Sequence, residues 1–166
     1  MIKISLNEIR EKSPCESGWK KVLASKGGTS ADMDAQFPMT DILESNDLDD
    51  ALWCLRCRPE YSNLWRKYAV WCARQVQHLM TDNRSIAALD VAWRHADDLA
   101  TDAELAASRD AAWYAAVCAA GDASRGAAGY AAWAASRDAA GAAQKAKLIQ
   151  ILTAGQWVDG ATAQEK

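Results

Sequence analysis

The chain has 166 residues, half of them hydrophobic with alanine supplying much of that half, and it carries eight Trp against a single Phe. This is enough for one domain with a real core. A formal net charge of -3 and a pI of about 5.4 make the chain a poor candidate for binding a phosphate backbone, which needs clustered Lys and Arg, so nucleic acid is not expected as a direct partner.

Every apolar run is interrupted by Arg or Asp, so no membrane span is expected. The opening MIKISLNEIREK is charged and lacks the apolar core of a signal peptide. Five cysteines, an odd number, suit a reducing compartment better than a disulfide scaffold. The expected location is the cytoplasm.

Met1–Ile4 reads as a short strand or an extended lead-in, and Ser5-Leu6-Asn7-Glu8 is a capping box that opens a short helix to about Lys12. Pro14 suits a first helical turn, and the helix it starts would carry Trp19, Val22 and Leu23 on one face before Gly27-Gly28 ends it. Lys26 to Phe37 is the longest loop-like stretch, and Pro38 closes it. A short helix over Met39–Ser45 follows. Asn46 or Asp47 then caps a helix with Asp49 and Asp50 in its first turn, Arg56 and Arg58 at its end and Pro59 as its stop. Acid at the start and base at the end complement the helix dipole.

Glu60–Met80 reads as one amphipathic helix with Trp65, Tyr68, Cys72, Val76 and Leu79 on its apolar face and Lys67, Arg74 and His78 sharing another. Beyond it the chain repeats. TDNRSIAALDVAW ends at Trp93, TDAELAASRDAAW at Trp113 and GDASRGAAGYAAW at Trp133, a period of 20 residues that reaches back to Trp53. Such a period accommodates one helix of about 17 residues, roughly 25 Å long, plus a tight turn. Short turns make neighbouring helices antiparallel. Ile86, Leu89, Trp93, Ala96 and Ala100 form the seam of the first copy. Thr101-Asp102-Ala103-Glu104 is a second capping box, and Gly121 ends the helix it opens. A last long helix runs from Ala123 towards Leu152, weakened by Gly126, Gly129 and Gly141 and closed by the aliphatic cluster Leu148, Ile149, Ile151 and Leu152. Alanine lets the backbones approach, so Trp53, Trp93, Trp113 and Trp133 are expected as buried spacers between layers, with Asp90 and Asp110 as indole acceptors.

The expected fold is therefore all-α, an antiparallel up-and-down helical stack with a Trp-marked repeat. Residues 1–153 form a single domain, with short helices over 5–45, the stack over 47–153 and a tail over 154–166 that Trp157 pins to the body.

Chemistry is sparse. Cys54-Leu55-Arg56-Cys57 is a lone CxxC without the second pair of ligands that a structural zinc site needs, and it reads as two thiols on the apolar face of a helix. A metal-dependent or redox protein built on Cys54 and Cys57 is the alternative. His78 and His95 are the only histidines, and neither sits in a nucleophile motif. Gly27-Gly28 lacks the ending of a phosphate loop. No catalytic set and no cofactor is expected.

The segment RQVQHLMTDNRSIAALDVAWRHADDLATDAELAASRDAAWYAA, from Arg74 to Ala116, resembles the core of an immunity-protein family found beside bacterial toxins. SLNEIREKSPCESGWKKVL and LDDALWCLRC are similar to short proteins encoded by phages and prophages, with Cys15, Gly18 and Trp19 as a packing motif. The resemblance implies an all-helical intracellular protein of the conflict between bacteria and phages or toxins, and it brings no catalytic residues. The expectation is a non-enzymatic inhibitor, phage-encoded and anti-CRISPR-like, that blocks a host defence effector by direct binding in the bacterial cytoplasm. An immunity protein that neutralises a toxin is the alternative. The candidate contact residues are the acids Asp47, Asp49, Asp50, Asp97 and Asp98 and the stripe Lys67, Arg74 and His78. The C-terminal helix, with its sparse core, could form a homodimer.

Overall fold

The computed structural model describes the backbone of residues 1–75, 77–80, 82–122 and 128–159, and the side chains of these except 79 and 113–140. The chain is all-α: the described residues form eight α-helices and one pair of two-residue strands. None of the described helices is long and apolar enough to cross a membrane. The chain divides into two compact units, Met1–Glu60 with the segment from Lys145 onward, and Tyr61–Gln144.

The first unit is built on the amino-terminal capping box. Ser5 Oγ accepts from Glu8 N at 3.3 Å, and Ser5 N donates to Glu8 Oε2 at 2.7 Å, which starts helix α1 (Leu6–Glu11). The strand before it, β1 (Lys3–Ile4), pairs antiparallel with β2 (Phe37–Pro38) in the register Ile4 to Phe37. The long loop thus ends in a strand. It is also anchored midway, where Asn7 N donates to Met33 O and Asn7 Nδ2 to Asp34 Oδ1. Helix α2 (Glu16–Ser25) begins two residues beyond Pro14, because Cys15 takes the cap position and its Sγ accepts from Gly18 N at 3.4 Å. Val22 is buried, whereas Trp19 and Leu23 are half-buried. Gly27 at φ 108° and Gly28 at φ 62° make the exit turn, a backbone path that glycine follows without steric cost.

Helix α3 (Thr40–Ser45) leads into α4 (Leu48–Cys54), whose cap Asp47 accepts from Asp50 N at 2.9 Å. α4 is shorter than expected. It ends at Cys54, and Leu55–Cys57 tightens into a 3-10 turn, so Arg56 and Arg58 lie beyond the helix. Arg58 reaches back across the unit. Its Nε donates to Lys3 O at 2.7 Å, Nη1 and Nη2 grip both carboxylate oxygens of Glu8 at 2.5 and 2.8 Å, and Nη2 also meets Gln36. The carboxyl-terminal part of α8 (Ala128–Ala154) completes this core: Leu148, Ile151 and Leu152 join Ile4, Leu6, Ile9, Met39 and Ile42 as the fully buried side chains. Ile2 N donates to Leu152 O at 2.8 Å. Full burial of such aliphatic side chains stabilises by about 2 kcal/mol each. After the helix, Lys147 donates to Val158 O and lies 4.4 Å over the Trp157 ring, which holds Trp157 half-buried as the expected pin. Residues 160–166 of the expected tail lie outside the described residues.

In the second unit, the helix expected over Glu60–Met80 is α5 (Ser62–Gln75) flanked by 3-10 turns at Pro59–Tyr61 and Gln77–Leu79. Leu64, Tyr68 and Val70 are its buried residues, and Tyr68 Oη donates to Gln144 O at 3.1 Å. Trp65 and Cys72 are half-buried, and Val76 and the side chain of Leu79 lie outside the described residues. α6 (Asn83–Ala96) packs against α5 and against α7 (Asp102–Asp122). The Thr-Asp pair that opens each block caps differently in the two copies. Asp82 caps α6, accepting from Arg84 N, whereas Thr101 caps α7 in a capping box with Glu104. Trp53 and Trp93 are half-buried rather than buried, each beneath cationic side chains: Arg56 lies 4.5 Å over Trp53, and Lys67 and Arg74 lie 5.4 and 5.1 Å over Trp93. Asp90 is taken up by Arg74 at 2.7 Å. Residues 123–127, among them Gly126, and the side chains of Trp113 and Trp133 lie outside the described residues.

Candidate binding surfaces

The eight candidate contact residues fall into two groups. In the second unit, the basic stripe of α5 and the acids of α6 meet one another. Lys67 pairs with Asp97, the residue that caps the end of α6, and Arg74 pairs with Asp90, with Trp93 under both cations. Two surfaces that the sequence suggests as separate patches, one basic and one acidic, are the two sides of one interhelical contact. His78 is exposed in the turn after α5. Asp98 is exposed at φ 57°, in the left-handed turn that leaves α6.

In the first unit, Asp50 is committed to packing. Its Oδ2 accepts from Asn46 Nδ2 at 2.8 Å, the same nitrogen donates to Gly18 O at 2.9 Å, and a Cβ at Gly18 would come within 3.0 Å of both carboxylate oxygens. Gly18 is thus required where α2 meets α4, and Cys15, Gly18 and Trp19 line one small apolar cleft with Trp53 and Cys54. Asp47 caps α4, leaves about half of its side chain exposed and has Lys21 at 3.6 Å. Asp49, in the first turn, and Glu44, near the end of α3, are exposed and have no ion pair among the described residues. Glu44 was not singled out by the sequence. Its only signal there is its position three residues before the Asp47 cap.

The thiols separate by environment. Burial pushes Cys54 up to about 12, with Cys57 and Asp50 adding to the shift, and burial likewise raises Cys57 and Cys72. Such thiols are poor nucleophiles. Cys54 ends α4 and Cys57 ends a 3-10 turn, so the CxxC is not the mid-helix pair expected, although both side chains are buried as that reading requires. Cys15 goes the other way: hydrogen bonds from Ser17 and from the Gly18 N–H lower its pKa at the start of α2, on an exposed position. Among the described residues, no three His, Cys, Asp or Glu side chains are grouped to hold a metal ion.

His95 Nε2 meets Asp102 Oδ1 at 2.7 Å, and its Nδ1 is buried without a hydrogen-bond partner. Arg66 Nε, on α5, is also buried without one. Neither feature is visible in a helix-face reading, because each depends on how α5, α6 and α7 dock. Compared with models of known families, with curated proteins and with solved structures, the chain matches none of them.

Proposed function

We propose that the protein is a non-enzymatic, cytoplasmic binding protein of the conflict between phages and bacteria, an anti-CRISPR-like inhibitor that occupies a host defence effector by direct contact. The observation that carries the binding surface is the acidic edge where α3 passes into α4: Glu44 and Asp49 are exposed and without an ion pair among the described residues, beside the half-exposed Asp47. Uncompensated acids on a short, capped helical corner suit a cationic partner surface of the kind that holds nucleic acid. In the second unit Lys67 and Arg74 are taken up by Asp97 and Asp90, which leaves this edge as the better candidate. The assignment to phages rests on the resemblance of the SLNEIREKSPCESGWKKVL and LDDALWCLRC segments.

The test compares tagged wild-type protein with a Glu44→Lys, Asp49→Lys variant in purification from a bacterial host challenged by phage. A stable partner that is recovered with the wild type, lost with the variant and released by salt supports the reading. A nuclease or its effector complex as the partner favours anti-defence, whereas a toxin favours the immunity alternative. Recovery of the same partner by both proteins, or of none by either, overturns the acidic-edge reading.

A further inference from the structure

We propose that the groove in the second unit lined by α6, α7 and Arg66 of α5 is a binding site for an amphipathic monocarboxylate, a small molecule with one carboxylate head and an apolar body. The groove has a volume of about 650 Å³, within the range of roughly 300–1,000 Å³ typical of small-ligand sites. Its floor is apolar, with Met80, Leu89 and Leu105 among alanines of both helices. Ligand sites are commonly of this kind, an apolar body with a few polar groups that fix orientation.

The polar groups decide the head. Arg66 lines the groove, its Nε is buried with no hydrogen-bond partner, and it has no ion pair among the described residues. Arg66 lines the groove with no acidic partner among the described residues, so a bound anion would supply one, and a planar carboxylate takes two parallel N–H bonds from a guanidinium edge. The other charges on the wall are Asp102, held by His95 at 2.7 Å, and Arg109, with its neighbour Asp110 at 3.5 Å. With Arg109 beside Asp110 and Asp102 beside His95, Arg66 is the one lining cation without an acidic neighbour among the described residues, which matches a monoanion. A dianionic phosphate would bring a second charge that no free cation of the groove offsets.

The site draws on none of Glu44, Asp47 or Asp49, so failure of either proposal leaves the other standing. The test is calorimetric titration of the full chain with dodecanoate below its micelle concentration, with dodecyltrimethylammonium as the head-group control. Saturable one-to-one binding of dodecanoate is expected, with amide shifts at Ser85, Leu89 and Leu105, and little binding of the cation. Arg66→Gln should weaken dodecanoate binding by about tenfold, the loss of one charge-assisted contact. Ala106→Trp, which fills the groove from an exposed position of α7, should abolish it. Circular dichroism checks that both variants remain helical. Absence of saturable binding, equal binding of the cation, shifts confined to other residues, or unchanged affinity in both helical variants would overturn the proposal.

Discussion

Arg58 shows how one side chain replaces several weaker ties. With 15% of its side chain exposed, it joins the strand at Lys3, the capping box at Glu8 and the loop at Gln36. Burial pushes the Glu8 carboxyl up, but the hydrogen bonds from Arg58, Ser5 N and Gln36 outweigh it and bring the pKa down from 4.5 to about 2. Because the folded-state value lies below the unfolded one, this carboxylate stabilises the fold fully above about pH 4.5 and loses that contribution as the pH falls towards 2. Glu8→Gln is therefore expected to cost about 2 kcal/mol at neutral pH. It should also flatten the fall in thermal midpoint between pH 4.5 and 2 that the wild type shows. Circular dichroism melts across that window check both effects, and an equally steep fall in the variant would remove Glu8 from the acid response. In the sequence, Arg58 reads as a base complementing the end of its own helix. Nothing local reveals that α4 stops at Cys54 and frees the side chain to turn back towards Glu8.

At the scale of the element, the helix starts were legible because a cap is a local transaction. Ser5 with Glu8, Asp47 with Asp50, and Thr101 with Glu104 all satisfy backbone donors within three residues. Thr101→Ala should cost about 1 kcal/mol by leaving the Glu104 N–H without its acceptor. A urea titration followed by circular dichroism measures it, and an unchanged midpoint would show that Glu104 alone holds the turn. What was not legible was set by docking between elements. The pairing of β1 with β2 depends on partners 33 residues apart, since Ile4 meets Phe37. The Lys67 and Arg74 stripe reads as a free face until α6 arrives with Asp97 and Asp90. Trp93 reads as buried from the seam it follows, but it is only half-buried, covered on one side by Lys67 and Arg74. Of the candidate contact surface, only Asp47 and Asp49 were both named from sequence and left accessible at the proposed edge, because exposure of a charge is a property of the packed unit.

At the scale of the whole molecule, the aliphatic cluster Leu148, Ile151 and Leu152 belongs to the core made by the first sixty residues rather than to the alanine-rich stretch that precedes it in the chain. Leu148→Ala should cost about 2–5 kcal/mol. Hydrogen exchange should show the loss at the amides of Ile4, Leu6 and Ile9. Retained protection there would mean that the amino-terminal core stands without α8. The same feature has a consequence for synthesis. While the ribosome is still making the alanine-rich helices, the amino-terminal segment is already out, with Ile4, Leu6 and Ile42 lacking the residues that cover them. A chaperone has that interval in which to bind it, and the unit cannot close until Leu148–Leu152 emerges. Ile2 and Leu152 finish hydrogen-bonded at 2.8 Å. A circular permutant that joins these two neighbourhoods by a short linker and opens elsewhere would translate both halves of the core consecutively, and so shorten that exposure.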